Sequence, residues 1–347
     1  MRWRSGGLLI PIIITILFFQ GCGKKSSIAE ENKVNSLILP EYVIAEVVDN
    51  ATKLYNINNG IGGGIGQVEN LLDLQYNSKS QTTVKVIYIE NGENLIKNKI
   101  VIEHNGEQEE LNTFYSALDS KISPSGDKIA YRYYKQDSMD SIEDMTVYNI
   151  KDKKVIKLNT DTIISGNLYE FINDNEILYY GVNLNTNDRG IFKYSLDTNI
   201  EELIYKLSDG NITSLKYAGD NEVLAVKSDN TGSGLYSIDL KKSEMKKIQS
   251  DIEEIYSFNN VGENSYILAK EKGKNSAIYK WSGNLKRLTY SFPKNIDSKS
   301  PIINDDNGNL YFVGYDDDKS KSDIYMIKKD GSVNLVSNRS GAYKIFK

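Results

Sequence analysis

Glu222-Val223-Leu224-Ala225-Val226, followed by Gly234-Leu235-Tyr236-Ser237-Ile238-Asp239-Leu240, is the stretch whose reading decides the fold. The first run opens after Gly219-Asp220-Asn221 and the second closes on Asp239. Each is therefore bounded by residues that favour tight turns. Short apolar and aromatic runs separated by such turns read as antiparallel strands. Met245-Lys246-Lys247-Ile248 adds a shorter strand behind them.

The same unit recurs along the chain. Tyr236 has counterparts in Tyr148 of Thr146-Val147-Tyr148-Asn149-Ile150, Phe192 of Gly190-Ile191-Phe192-Lys193-Tyr194, Tyr279 of Ala277-Ile278-Tyr279-Lys280-Trp281 and Tyr325 of Asp323-Ile324-Tyr325-Met326-Ile327. Successive anchors lie 43 to 46 residues apart, and Ile100 and Tyr55 extend the series toward the N-terminus at intervals of 48 and 45. A repeat of four strands in about 45 residues has the size of a propeller blade, which buries its faces only against its neighbours. The expectation is an all-β protein, a β-propeller of seven four-stranded blades, with six or eight as alternatives. Ala342-Tyr343-Lys344-Ile345-Phe346 follows the last repeat, and the first repeat, starting near Tyr42, has no inner strand of its own. Pairing the two closes the ring with strands from both ends. Gly60 to Gly66, with glycine at 60, 62, 63, 64 and 66, reads as an insertion or a flexible loop.

Ser123-Pro124-Ser125-Gly126-Asp127-Lys128-Ile129-Ala130-Tyr131 resembles the turn and strand of TolB-like propeller repeats. Leu285-Lys286-Arg287-Leu288-Thr289, followed by Asp305 to Phe312, resembles the passage between blades in that family. The resemblance implies the fold; hairpin geometry by itself carries no function.

The N-terminus has a different character. Arg2 and Arg4 precede an apolar run from Leu8 to Phe19, and Gln20-Gly21-Cys22 follows. These are the parts of a secretory signal. The run holds 12 residues, whereas a membrane-spanning helix needs about 20. Phe19-Gln20-Gly21-Cys22 resembles the lipobox of bacterial lipoproteins. That resemblance implies a diacylglyceryl group on the Cys22 thiol and cleavage before it. Residues 1–21 are then a lipoprotein signal peptide, 22–35 the lipidated cysteine with a polar tether, and 36–347 the propeller. The expected location is the outer side of a cell membrane, held by lipid on Cys22. The abundance of Lys, Asn and Ile points to a Gram-positive surface.

Composition removes several functions. The net charge of −5 argues against nucleic acid, which requires clustered Lys and Arg. Cys22 is the only cysteine and His104 the only histidine, which excludes a zinc site built from such ligands. His104 reads as an exposed turn residue. No G-x-S-x-G elbow is present. Asp305-Asp306-Asn307-Gly308-Asn309 has Ile303 and Gly314 where a calcium loop needs oxygen ligands, so it reads as the repeat's ordinary turn. No metal or cofactor is expected, and Tyr148, Tyr236 and Tyr325 read as core.

The loops between the second and third strands of each repeat are long and polar, and in a propeller they emerge on one face. Their candidate binding residues are Asp137, Asp140 and Asp144, then Asn187 and Arg189, Asp229 and Asn230, Lys272, and Asp316, Asp317 and Asp318. The functional expectation is a non-catalytic scaffold for a protein, peptide or glycan at the cell envelope. The alternative is a glycan-active or other hydrolase or lyase using carboxylates and tyrosines in the central funnel. A third reading is a structural accessory of a larger membrane machine.

Overall fold

The computed structural model describes residues 37–57, 60–261 and 264–347. Cys22, the signal segment and the tether lie outside them. The described residues form seven blades around one axis. The blades are numbered in chain order, with blade 1 containing Val43–Val48, blade 2 Leu71–Asn77, blade 3 Ser116–Ile122, blade 4 Thr162–Asn173, blade 5 Asn211–Gly219, blade 6 Ile252–Val261 and blade 7 Leu310–Tyr315. The one helical turn among the described residues is Met139–Ser141.

Blade 5 shows how the sequence produces the unit. Asn211–Gly219, Glu222–Asp229, Gly232–Asp239 and Glu244–Ser250 pair antiparallel in chain order, inner to outer. Val223, Leu224, Ala225 and Val226 are all fully buried. Side chains alternate across a strand, so Val223 and Ala225 face blade 4 while Leu224 and Val226 face blade 6. An unbroken apolar run is what a strand covered on both faces requires. The outer strand Glu244–Ser250 is half-buried only at Met245 and Ile248, so its free edge is polar and charged.

Each pair of neighbouring blades shares one buried apolar cluster, and seven clusters close the circuit. The last joins blade 7 to blade 1 through Tyr311, Val313 and Ile324 against Ile44, Tyr343 and Ile345. The closing strand Ala342–Phe346 pairs with Val43–Val48 in a register that sets Lys344 opposite Ala45. Blade 1 is thus built from both ends of the described chain, as its missing inner strand predicts. The inner position of blade 7 is split into Asn295–Ile296 and Ile303–Asn304, both paired with Leu310–Tyr315.

One expectation is corrected. Gly60 to Gly66 is no insertion: Ile61–Glu69 is the outer strand of blade 1, paired with Ala51–Ile57. An outer strand needs few packing side chains, so glycine is tolerated there. At Gly66 a Cβ would stand 2.4 Å from Leu37 Cδ2, so a larger residue would require that side chain to move.

The hairpin turns also tie the blades together. Gly126 lies at φ +80° and donates to the Ser123 carbonyl at 2.9 Å, closing the turn that resembles the TolB-like repeat. The Ser125 amide reaches across to the Asp174 carboxylate of blade 4 at 2.6 Å.

Candidate functional site

The inner strands of all seven blades enclose a central cavity of about 600 Å³. Its wall is built from equivalent positions of successive repeats: Asp73 to Gln75 from blade 2, Ser120 to Ile122 from blade 3, Glu170 from blade 4 and Lys216 with Tyr217 from blade 5. Tyr256 to Phe258 of blade 6, Ser298, Lys299 and Pro301 of blade 7, and Lys344 to Lys347 of blade 1 complete it.

Polar groups from different blades meet across this wall. Glu170 Oε1 accepts from Lys121 Nζ at 2.9 Å and from Lys216 Nζ at 3.1 Å. Lys121 also donates to the Tyr169 carbonyl and stands 5.0 Å from the Tyr169 ring centroid. Burial opposes ionisation of Glu170, but the two ammonium groups outweigh it and hold its pKa down to about 2. Burial pushes the Lys121 pKa down, with Glu170 acting against it and Lys216 adding to it. Asp73 behaves in the opposite sense. Its burial raises the carboxyl pKa, although it accepts from the Leu74 amide at 2.9 Å and from Ser120 Oγ at 3.3 Å. Lys347 Nζ donates to Asn259 Oδ1 at 3.1 Å, and burial lowers its pKa.

The loop residues singled out from sequence lie apart from this cavity wall, and several are occupied in holding the loops. Asp137 Oδ1 and Oδ2 accept the backbone amides of Glu93, Asn94 and Leu95 at 2.6–3.1 Å, clamping the blade 3 loop to the blade 2 loop. Asp229 accepts from the Thr231 amide and hydroxyl at 2.8 and 2.5 Å. Asp318 does the same for Ser320 at 3.0 and 2.7 Å. Asp317 pairs with Lys294 at 2.5 Å, and Asp316 accepts from the Lys294 amide at 3.3 Å. Arg189 reaches Asn211 of blade 5 at 3.0 Å. Asn187 sits at φ +57° in its turn. Asp140, Asp144, Asn230 and Lys272 are exposed.

His104 ends the strand Ile96–His104 rather than occupying the turn, and it is half-buried. Its Nδ1 lies 2.7 Å from Thr82 Oγ1 and its Nε2 2.8 Å from Asn105 Nδ2. An amide nitrogen only donates, so Nε2 accepts and Nδ1 carries the proton. Asp305 accepts from the Asn309 amide, the Asn309 side chain and the Tyr311 hydroxyl at 2.9–3.1 Å, consistent with its reading as a turn residue. Tyr148 and Tyr325 are buried and Tyr236 is half-buried. Among the described residues, no three His, Cys, Asp or Glu side chains converge in a way that would hold a metal ion.

The cavity residues were not legible as a set. Lys121, Glu170 and Lys216 are separated by 49 and 46 residues, close to the repeat period, and that equivalence was the available signal.

No family model matches the sequence, and no curated protein matches it. Solved structures do share its architecture. Dipeptidyl peptidase 4 of Porphyromonas gingivalis aligns with a TM-score of 0.55 at 11% identity, over 86% of this chain and 52% of that one. The chain thus spans about half the length of that peptidase. The β-propeller domain of the Trilobed protease from Pyrococcus furiosus aligns at 0.54 with 15% identity, over 77% of this chain and 84% of that one. That domain has an open velcro topology, whereas here Ala342–Phe346 closes the ring on Val43–Val48. TolB from Acinetobacter baumannii aligns over 88% of this chain and 83% of its own at 13% identity, with a TM-score of 0.46. At these identities the likenesses show the propeller fold alone.

Proposed function

We propose that this chain is a non-catalytic binding scaffold of the bacterial cell envelope, tethered by lipid on Cys22, whose propeller takes a peptide or glycan chain at its central cavity. The observation that carries the reading is the cavity of about 600 Å³ walled by all seven blades. Ligand sites typically enclose roughly 300–1,000 Å³. The loop face lies toward the other end of the second strands from the positions opposite Lys121, Glu170 and Lys216, and with Asp137, Asp229 and Asp318 spent on loop geometry it is proposed as a rigid rim there.

The test is equilibrium binding of labelled envelope peptides and glycan fragments to the purified full chain in detergent. Gln75→Trp, which narrows the cavity, is expected to abolish binding that Asp318→Lys leaves intact. Binding lost in the rim variant and kept in the cavity variant would move the site to the loops. For the anchor, mass spectrometry of the mature protein is expected to show a diacylated Cys22 at its N-terminus, and Cys22→Ala is expected to release the protein from the membrane. An unlipidated Cys22 would overturn the anchor.

One observation favours a second reading, a hydrolase or lyase. Asp73 and Glu170 border the same cavity with pKa values displaced in opposite directions, as in paired acid and base catalysts. Against it, Glu170 is neutralised by two lysines and Asp73 is held by an amide and a hydroxyl. Turnover of a bound glycan or peptide, lost in both Asp73→Asn and Glu170→Gln, would establish the enzyme and sink the scaffold.

A further inference from the structure

The cavity is cationic although the protein is acidic. The chain carries a net charge of −5, yet its inner wall presents five lysines, 121, 216, 299, 344 and 347, against Asp73 and Glu170. Ammonium groups are therefore in excess among the side chains of this wall.

The excess is concentrated on one flank. Lys121 and Lys216 share Glu170 as a common counter-ion, on blades 3 to 5. Lys299, Lys344 and Lys347 come from the adjacent blades 7 and 1. Among the described residues, none of these three ammonium groups has a carboxylate partner within 4.0 Å. Lysines on the outer surface are often matched instead, as Lys97 is with Glu90 at 2.9 Å, Lys99 with Glu110 at 2.7 Å and Lys135 with Glu143 at 2.8 Å.

Like charges gathered in a concave wall repel one another, and the low-dielectric wall focuses their field toward the opening. A fold tolerates that cost where an incoming anion removes it. The wall contains no arginine. Recognition therefore does not use the planar fork that reads one carboxylate or phosphate bidentately. Ammonium groups act as point charges and count the charges of a ligand rather than the shape of one group. Three such groups on one flank suit a ligand with several negative charges along its length.

We propose that the central cavity binds an oligoanionic chain, its phosphate or carboxylate groups seated on Lys299, Lys344 and Lys347. This rests on the reading of the cavity as the binding site and adds the ligand's chemical class.

Isothermal titration calorimetry of the full chain in detergent tests it, with sodium tripolyphosphate and triglutamate as probes and trialanine as the neutral control. At least one oligoanion is expected to bind, more weakly as salt rises, since exposed charge pairs are screened. The combined K299Q, K344Q and K347Q substitutions are expected to weaken binding at least tenfold, while K241Q, K246Q and K328Q on exposed surface leave it unchanged. Should the triple variant fail to fold, K299Q alone, on an exposed side chain between the two short inner strands of blade 7, is expected to weaken binding at least threefold. Tighter binding of tripolyphosphate assigns phosphate as the recognised group, and tighter binding of triglutamate assigns carboxylate. Failure of both probes to bind, or binding indifferent to the cavity lysines, would overturn the proposal. If neutral peptides or glycan fragments still bind and are excluded by Gln75→Trp, the scaffold reading survives and only the charge preference falls.

Discussion

Lys216 donates to Oε1 of Glu170 at 3.1 Å, joining blade 5 to blade 4 at the cavity wall. Lys121 reaches the same oxygen from blade 3 at 2.9 Å. One carboxylate therefore links three blades, and its ionisation state matters to the ring.

The first prediction is a pH effect. The folded-state pKa of Glu170, about 2, lies below its ordinary value of 4.5. A depressed carboxylate contributes stability that is complete above the unfolded value and is lost as pH falls through the folded one. Melting temperatures are thus expected to fall between about pH 4.5 and pH 2, and Glu170→Gln is expected to flatten that part of the profile. Identical profiles for both proteins would refute the role assigned to the pair.

A second prediction concerns blade 2. Lys85 and Glu103 form an ion pair with side chains only 9% and 7% exposed, and Thr83 adds a hydrogen bond to Glu103 at 3.1 Å. Removing one partner strands a buried charge, at a cost of about 3–5 kcal/mol. Glu103→Leu is expected to lose that much in denaturant unfolding. The double substitution Lys85→Met with Glu103→Leu is expected to recover most of it, because no charge is then left unpaired. A double variant as unstable as the single one would argue against this account.

Ring closure yields the third. Deleting residues 342–347 removes Tyr343, Ile345 and Phe346, all buried, and uncovers the edge of Val43–Val48. Each such apolar side chain contributes roughly 1.5–3 kcal/mol, so a loss on the order of 5 kcal/mol or more is expected, with aggregation through the bare edge. Calorimetry and light scattering read both effects. A truncated chain that melts like the intact one would contradict the observed closure.

The fourth concerns the loops. Asp137 accepts three consecutive backbone amides of the blade 2 loop, so slowed exchange with solvent is expected at Glu93 to Leu95. Asp137→Ala is expected to accelerate hydrogen exchange at those amides while leaving the strand Lys128–Tyr134 protected. Unaltered exchange at Glu93 to Leu95 would show that the clamp is unimportant in solution.

Much of the architecture was legible because a blade is made of neighbours in sequence. The hairpin turns at Gly126 and Gly219-Asp220-Asn221, and the doubly buried run at Val223 to Val226, announce strands whose partners lie a few residues away. Gly60 to Gly66 misled because an outer strand with few side chains has the composition of a loop, and only its pairing with Ala51–Ile57 distinguishes the two.

The sequence by itself determined the repeat, the four-strand blade and the need for Ala342 to Phe346 to complete the first one, since turn chemistry and apolar alternation are local signals. Tertiary structure alone decided which groups face the axis. Lys121, Lys216, Lys299, Lys344 and Lys347 each look like an ordinary solvated lysine, and each is distant in sequence from most of the others. Only closure of seven blades in register brings their inner strands onto one wall, because each blade contributes only its inner strand to the axis.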